Sequence, residues 1–150
     1  MNPALIVANS ILQRAFEENI PLTPMKLQKL QYLTYKEYLK QHNKSLFEED
    51  FQTWKFGPVL RTVYDEFRRF NASPISSYAY EDHIKKEAYV VSAKEQNFYA
   101  ALDFIWKKYA GYRPDQLVDI THVEGGAWDK AKKKQQMYIE TKDILEEEWV

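Results

Sequence analysis

The segment that begins at Thr23 predicts a helix that lies at the centre of the fold. Thr23 is a good N-cap residue, and Pro24 suits the first helical position, where its missing N–H costs little. Leu22 and Leu27 occupy the two positions of a hydrophobic staple. The helix is expected to end near His42. Its apolar side chains spread over more than half of its circumference, and such a helix needs neighbours on several sides.

The lysines of this central helix fall in one narrow stripe. They are Lys26, Lys29, Lys36 and Lys40. A charged stripe is usually a solvated helix face, and that is the simpler interpretation. The alternative is that these lysines meet the acidic surface of a partner protein, or a phosphate.

Periodic apolar residues and capping signals predict six further helices. The predicted helices cover residues 3–18, Val59 to Phe70 after the helix start at Gly57-Pro58, Ala93 up to Gly111 after the capping box Ser92/Glu95, 115–122, 127–135, and a last short helix capped by Thr141. Residues 71–87 carry the weakest signals, and short strands at 75–80 and 88–91 would make one β-hairpin. The predicted fold is mainly α: a single compact multi-helix domain over residues 1–150, with that hairpin around residues 75–91.

Composition narrows the classes of function. The chain has 45% hydrophobic residues and 23 aromatic ones (11 Tyr, 8 Phe and 4 Trp), enough for a large core. Its formal net charge of -1 argues against a nucleic-acid binder, whose affinity comes largely from phosphate contacts. The absence of cysteine removes disulfides, thiolate metal sites and cysteine nucleophiles. Because no signal peptide or membrane span is recognisable, we expect a cytoplasmic protein.

Three stretches form a specific pattern along the chain. The first runs from Leu22 to Tyr32 and contains Lys-Leu-Gln-Lys-Leu; the second is residues 51–59, Phe-Gln-Thr-Trp-Lys-Phe-Gly-Pro-Val, followed by Val63-Tyr64; the third is Leu117 to His122, followed by Ala127-Trp128. In this order and spacing they resemble the Panacea domain, the family of SocA-like antitoxins and phage-associated GepA-like proteins. The resemblance covers roughly residues 5–130.

The resemblance implies a mostly helical domain that is typically encoded beside a toxin gene and neutralises that toxin by direct binding. Some members resemble adaptors that hand the toxin to a cellular protease. The expected partner is therefore a cognate toxin encoded by the adjacent gene, with a cellular protease as a further partner. Because the family pairs with toxins of many unrelated kinds, the resemblance does not name the toxin.

The motif residues divide into two groups. Candidate partner-binding residues are Lys26, Lys29, Tyr32, Lys36 and Trp54. The remaining motif residues are expected to be structural, and they are Leu27, Leu30, Gly57, Pro58, Val59, Tyr64, Thr121, His122 and Trp128. The reason is that glycine, proline and apolar residues in motifs usually serve the backbone and packing.

An enzyme is the weaker alternative. His122 with Asp119, three residues earlier, resembles a base and its orienting carboxylate. No Gly-x-Ser-x-Gly or Ser-x-x-Lys motif supplies a nucleophile, and no P-loop, dinucleotide fingerprint or zinc-ligand spacing is present. We therefore expect no catalysis, metal or cofactor. His122 is expected to be a hydrogen-bonding residue near a helix end, with Trp128 packed beneath it.

Two observations separate the remaining hypotheses. An antitoxin that binds a protein should expose some aromatic side chains together in a patch. A nucleic-acid-binding regulator of a prophage or toxin–antitoxin operon would need a continuous positive face. That face would join the lysine stripe to the basic run of Lys130, Lys132, Lys133 and Lys134.

Overall fold

The computed structural model describes residues 1–149, which form seven α-helices and one two-stranded sheet. The elements are α1 (Pro3–Glu18), α2 (Pro24–His42), β1 (Gln52–Trp54), β2 (Gly57–Val59), α3 (Arg61–Phe67), α4 (Gln96–Tyr109), α5 (Pro114–Thr121), α6 (Ala127–Lys133) and α7 (Thr141–Glu146). The predicted mainly α class is confirmed. Across residues 1–149, no helix combines the length and hydrophobicity that a membrane crossing needs.

Helix α2 is the centre of the fold, as predicted. It contacts α1, α3, α4, α5, α7 and β2, and both Leu27 and Leu30 are buried. The Thr23 hydroxyl accepts a hydrogen bond from the Lys26 N–H at 3.2 Å, which confirms the predicted cap. The hairpin and α5, which carry most of the motifs described below, contact this helix directly.

The stretch around Gly57-Pro58 forms a hairpin and does not start a helix. β1 pairs antiparallel with β2, so that Trp54 lies opposite Gly57, and α3 begins only at Arg61. The Gln28 side chain donates to the Leu60 carbonyl and accepts from the Leu60 N–H, each at 3.0 Å. This side-chain pairing holds the chain extended up to Leu60. The helix predicted to begin at Val59, directly after Gly57-Pro58, therefore begins two residues later, at Arg61.

The hairpin predicted around residues 75–91 is absent from its expected place, where only an isolated bridge joins Asp82 and Glu87. The side chain of Asn9 donates to the Ala79 carbonyl at 2.9 Å and accepts from the Ala79 N–H at 2.8 Å. These are the backbone groups that a second strand would have paired. Polar side chains of α1 thus take the role that the prediction gave to a strand.

The other helix boundaries are close to their predicted positions. Helix α4 begins at Gln96, because Ser92 to Glu95 form a separate turn in which the Ser92 hydroxyl accepts from the Lys94 N–H at 3.2 Å. Thr141 is the first residue of α7, one position after the N-cap. Helices α1, α2, α5 and α6 agree with prediction to within two residues, which is the usual uncertainty at helix ends.

Candidate functional site

An apolar groove lies between the start of α2, the β1–β2 hairpin and α3. It encloses a cavity of about 470 Å³. Its lining is mostly apolar and consists of Pro24, Met25, Gln28, Lys29, Trp54, Lys55, Phe56, Val59, Val63, Tyr64, Arg68 and Asn71. Both the size and the apolar character are those of a binding pocket.

Exposed large apolar side chains surround this groove. Phe56 is 51% exposed, Met25 37% and Tyr64 36%. The Trp54 ring packs on the Tyr64 ring with centroids 4.7 Å apart, and its indole N–H donates to Gln52 at 2.8 Å. The expectation that aromatic side chains lie exposed together is confirmed, and Tyr64, predicted to be structural, is part of that exposed patch.

Lys29 lies at the floor of the groove and is 1% exposed. Its ammonium donates to the Pro58 carbonyl at 3.0 Å, and no carboxylate of residues 1–149 forms an ion pair with it. Burial lowers the pKa of Lys29 to about 7, because the charged form loses its hydration without gaining a counter-charge.

Gly57 fits between Lys29 and α5 because it has no side chain. A Cβ at this position would lie 2.9 Å from the Thr121 Oγ1 and 3.0 Å from the Lys29 Nζ. Gly57 also has a φ of +115°, a conformation that glycine adopts far more readily than any other residue. The structural role predicted for Gly57 and Thr121 therefore has a steric basis in the meeting of α2, β2 and α5.

His122 and Trp128 complete this junction. Their rings stack with centroids 3.8 Å apart and an interplanar angle of 11°. The Trp128 indole N–H donates to the Trp54 carbonyl at 2.8 Å, which ties α6 to the hairpin. The three stretches that carry the family pattern thus converge on one place, although they are far apart in the sequence.

The surroundings of His122 are those of a packing residue. Its backbone N–H ends α5 by bonding to the Val118 carbonyl, whereas its buried Nε2 has no hydrogen-bond partner in residues 1–149. Burial lowers the pKa of His122, and the nearby Lys29 cation lowers it further. The neighbouring Thr121 hydroxyl donates to Val118 and is therefore engaged in its own helix. The predicted helix-end position and stacking are confirmed, but the predicted side-chain hydrogen bond is missing.

The lysine stripe of α2 is not a solvated face, and that interpretation was wrong. Lys26 is 8% exposed, while Lys29 and Lys36 are each 1% exposed. Lys26 donates to the Ala110 carbonyl at the end of α4, and Lys40 donates to the Leu145 carbonyl in α7 at 2.7 Å. Carbonyl groups at helix ends attract cations, because they lack partners within their own helix.

Lys36 and Tyr32 belong to a closed internal network around Glu147. The Lys36 ammonium lies 2.8 Å from the Glu147 carboxylate and 4.1 Å from the centre of the Trp149 ring. The same carboxylate accepts hydrogen bonds from the Tyr32 hydroxyl at 3.2 Å and from the Ala127 N–H at 2.8 Å. Burial and the Glu147 charge raise the pKa of Tyr32. In this conformation neither Tyr32 nor Lys36 offers a surface that a partner can reach.

The remaining lysines do not create the positive face that a nucleic-acid regulator would need. Because Lys26, Lys29 and Lys36 point inward, the stripe cannot join the basic run on α6. Within that run, Lys133 pairs with Asp129 at 2.9 Å and Lys130 lies 3.8 Å from Asp143. In the part of the chain described here, no group of three His, Asp or Glu side chains is arranged to hold a metal ion.

Sequence reasoning missed several residues of the groove and of the internal network. These are Met25, Lys55, Phe56, Arg68 and Glu147. Phe56 carried a usable signal, since it lies in the tight turn between Trp54 and Gly57 and such a position is exposed. Glu147 carried none, because its partner Lys36 is 111 positions away.

Comparison with known proteins places this geometry in a family. Residues 27–129 match the family described as antitoxin SocA-like, Panacea domain. The chain is 29% identical over 128 residues to the antitoxin SocA of Caulobacter vibrioides (strain NA1000 / CB15N), which covers 84% of this chain and 68% of that protein. No solved structure gives a significant match. The matched range includes Lys29, the hairpin, Thr121 and Trp128, and the chain belongs to the SocA-like antitoxin family with a Panacea domain.

Proposed function

We propose that this chain is a non-catalytic antitoxin that acts in the cytoplasm and neutralises a partner toxin by binding it directly at the rim of the groove. Membership of an antitoxin family implies a toxin partner in general. The observation that carries the proposal is the exposure of Met25, Phe56 and Tyr64 around one cavity. Exposed apolar side chains grouped in this way are typical of protein interfaces.

One aromatic side chain of the groove, Trp54, is held by contacts within the chain. Trp54 is fixed by its contact with Tyr64 and by the hydrogen bond from its indole to Gln52. The Arg61 guanidinium also contacts this ring, 5.9 Å from its centre. A preorganised aromatic surface loses less conformational entropy on binding, which favours a tight complex.

The predicted partner contacts divide into two groups. Trp54 and Lys29 line the groove, and we propose that the toxin lies against them. Contacts from Lys26, Tyr32 and Lys36 stay a prediction. For Tyr32 and Lys36 they would require Glu147 to leave α2, because that carboxylate holds both side chains inside.

Two mechanisms remain open for neutralisation. Direct blocking requires a stable complex, whereas delivery to a protease requires only a transient one. A regulator that binds nucleic acid has less support, because the lysines that would have formed its positive face are buried.

The test is co-expression of this chain, tagged, with the product of the adjacent gene, followed by measurement of growth and co-purification. Direct binding predicts rescue of growth together with a stoichiometric complex. Rescue without a complex, accompanied by a falling toxin level, would indicate delivery to a protease. If neither rescue nor binding occurs, the antitoxin proposal fails for that pair.

A matched pair of variants tests the binding face. Phe56 and Phe104 are 51% and 48% exposed, but only Phe56 lines the groove. We expect Phe56→Ser to weaken binding by about ten- to a hundredfold, the effect of losing an aromatic anchor, and Phe104→Ser to leave it within about twofold. Equal effects of the two variants would contradict the groove as the binding face.

A further inference from the structure

We infer that the groove receives an acidic and apolar segment of the toxin, whose large apolar side chain fills the cavity while neighbouring carboxylates pair with Lys55 and Arg68. This inference rests on the proposed function and adds the chemistry of the partner. The cavity of about 470 Å³ accommodates side chains of a bound segment. The charged residues around the cavity indicate which kind of segment it binds.

Every charged residue that lines the groove is basic. Lys29 lies at the floor, Lys55 and Arg68 are exposed at the rim, and no Asp or Glu side chain contributes to the lining. The chain as a whole has a formal net charge of -1. The positive groove is therefore a local feature and does not reflect the overall charge of the protein.

The acidic residues of α3 do not neutralise these cations. Asp65 pairs with Arg61 at 3.1 Å, and Glu66 lies 3.6 Å from Arg69. Neither Lys55 nor Arg68 forms an ion pair with any residue between 1 and 149. Cations that are left without a counter-charge beside an exposed apolar surface favour a partner that brings negative charge.

Lys29 gives a second and independent reason. Its amino group lies at the floor of the groove with the Pro58 carbonyl as its acceptor, and it forms no ion pair within residues 1–149. A segment that places a carboxylate in the groove would supply the missing counter-charge, because opposite charges attract more strongly once water is excluded. A purely apolar segment would supply none.

The charge preference of the groove can be measured without knowing the toxin. The probe is anilinonaphthalene sulfonate, an apolar anion whose fluorescence rises on binding, with the uncharged N-phenylnaphthylamine as the control compound. We expect the variant Lys55→Gln/Arg68→Gln to weaken binding of the anion by about five- to tenfold and to leave the uncharged compound unaffected. Lys44→Gln/Lys85→Gln, which changes two exposed lysines outside the groove, should bind both compounds like the unmodified protein.

The partner is tested by competition with the same probe. If the toxin displaces the anion and its own binding falls about tenfold in Lys55→Gln/Arg68→Gln, the inference stands. If the anion shows no preference for the two cations, the inference is wrong. If the toxin is neutralised but leaves the anion bound, the inference fails together with the placement of the toxin at the groove, while the antitoxin function itself survives. If no toxin is neutralised, the proposed function fails, and the inference about its partner fails with it.

Discussion

Two buried lysines on the same helix have opposite surroundings. Lys36, in the second half of α2, faces the Glu147 carboxylate at 2.8 Å and is covered by Trp149. Lys29, two turns earlier, faces one carbonyl group and lies under an open groove. Both side chains are 1% exposed, so burial alone does not distinguish them.

The difference indicates at which end of α2 the chain itself compensates the charge of its buried lysine. A buried cation is costly unless an opposite charge and hydrogen bonds compensate for it. At Lys36 the chain supplies both, and the network has no open side. At Lys29 it supplies a single acceptor and leaves apolar side chains exposed above it. The first arrangement serves stability, and the second is suited to an external partner.

The largest expected effect on stability comes from breaking the buried ion pair between Lys36 and Glu147. Glu147→Gln keeps an oxygen that can accept from Tyr32 and Ala127, but it leaves Lys36 as an unpaired buried cation. We expect the free energy of unfolding to fall by about 3–5 kcal/mol, measured by urea denaturation. The double variant Lys36→Met/Glu147→Gln removes both charges and should regain most of that loss. If the free energy of unfolding of Glu147→Gln lies within about 1 kcal/mol of that of the unmodified protein, the ion pair contributes little.

The next largest effect on stability is expected at Gly57, where α2, β2 and α5 meet beneath the groove. Gly57→Ala would push a methyl group against Thr121 and Lys29 and force alanine into a φ of +115°. Strain and overpacking together should lower the free energy of unfolding by about 2–4 kcal/mol. Gly111→Ala is the control, since no atom lies within 4 Å of its added methyl group, and it should change stability by less than about 0.5 kcal/mol. Similar losses in both variants would argue against a steric role for Gly57.

The smallest effect is the pH dependence that Lys29 introduces. The pKa of Lys29 is about 7 in the folded chain, compared with an ordinary value of 10.5. Between these values the unfolded chain binds a proton that the folded chain lacks, and the free energy of unfolding therefore rises with pH. We expect a contribution of about 1.4 kcal/mol per pH unit.

Urea denaturation between about pH 7.5 and 8.5 measures this slope. Lys29→Met keeps the length of the side chain but cannot titrate, and its profile should lack the contribution of Lys29. Below pH 7 both states of the unmodified chain hold the proton, so Lys29 adds no slope there. Parallel profiles above pH 7 would mean that Lys29 keeps an ordinary pKa in the folded protein.

The helices were predictable because their signals are local. Thr23, Pro24 and the apolar periodicity that follows specify α2 within about twenty residues, and the observed helix has the predicted bounds. The wide apolar arc also identified α2 as the central helix. The convergence of the three family stretches was not visible from spacing, because it depends on how α2, β2 and α5 meet.

The errors share a different cause. The stripe of lysines resembled a solvated face because a helical wheel shows one helix without its neighbours. Lys26 and Lys40 donate to the carbonyls of Ala110 and Leu145, which lie in distant parts of the sequence. Likewise, Asn9 on α1 takes the backbone groups of Ala79, which made a hairpin there unnecessary. In each case a long-range side-chain bond overrode a local pattern.

The span of the Lys36–Glu147 pair has a consequence for synthesis of the protein. The two residues are 111 positions apart, so a ribosome makes α2 long before it makes the carboxylate that neutralises Lys36. Until then the central helix carries an uncompensated charge, and closing the core around it costs free energy. A copy truncated before Glu147 would keep this defect permanently, and cellular proteases would act on it as an incompletely folded protein.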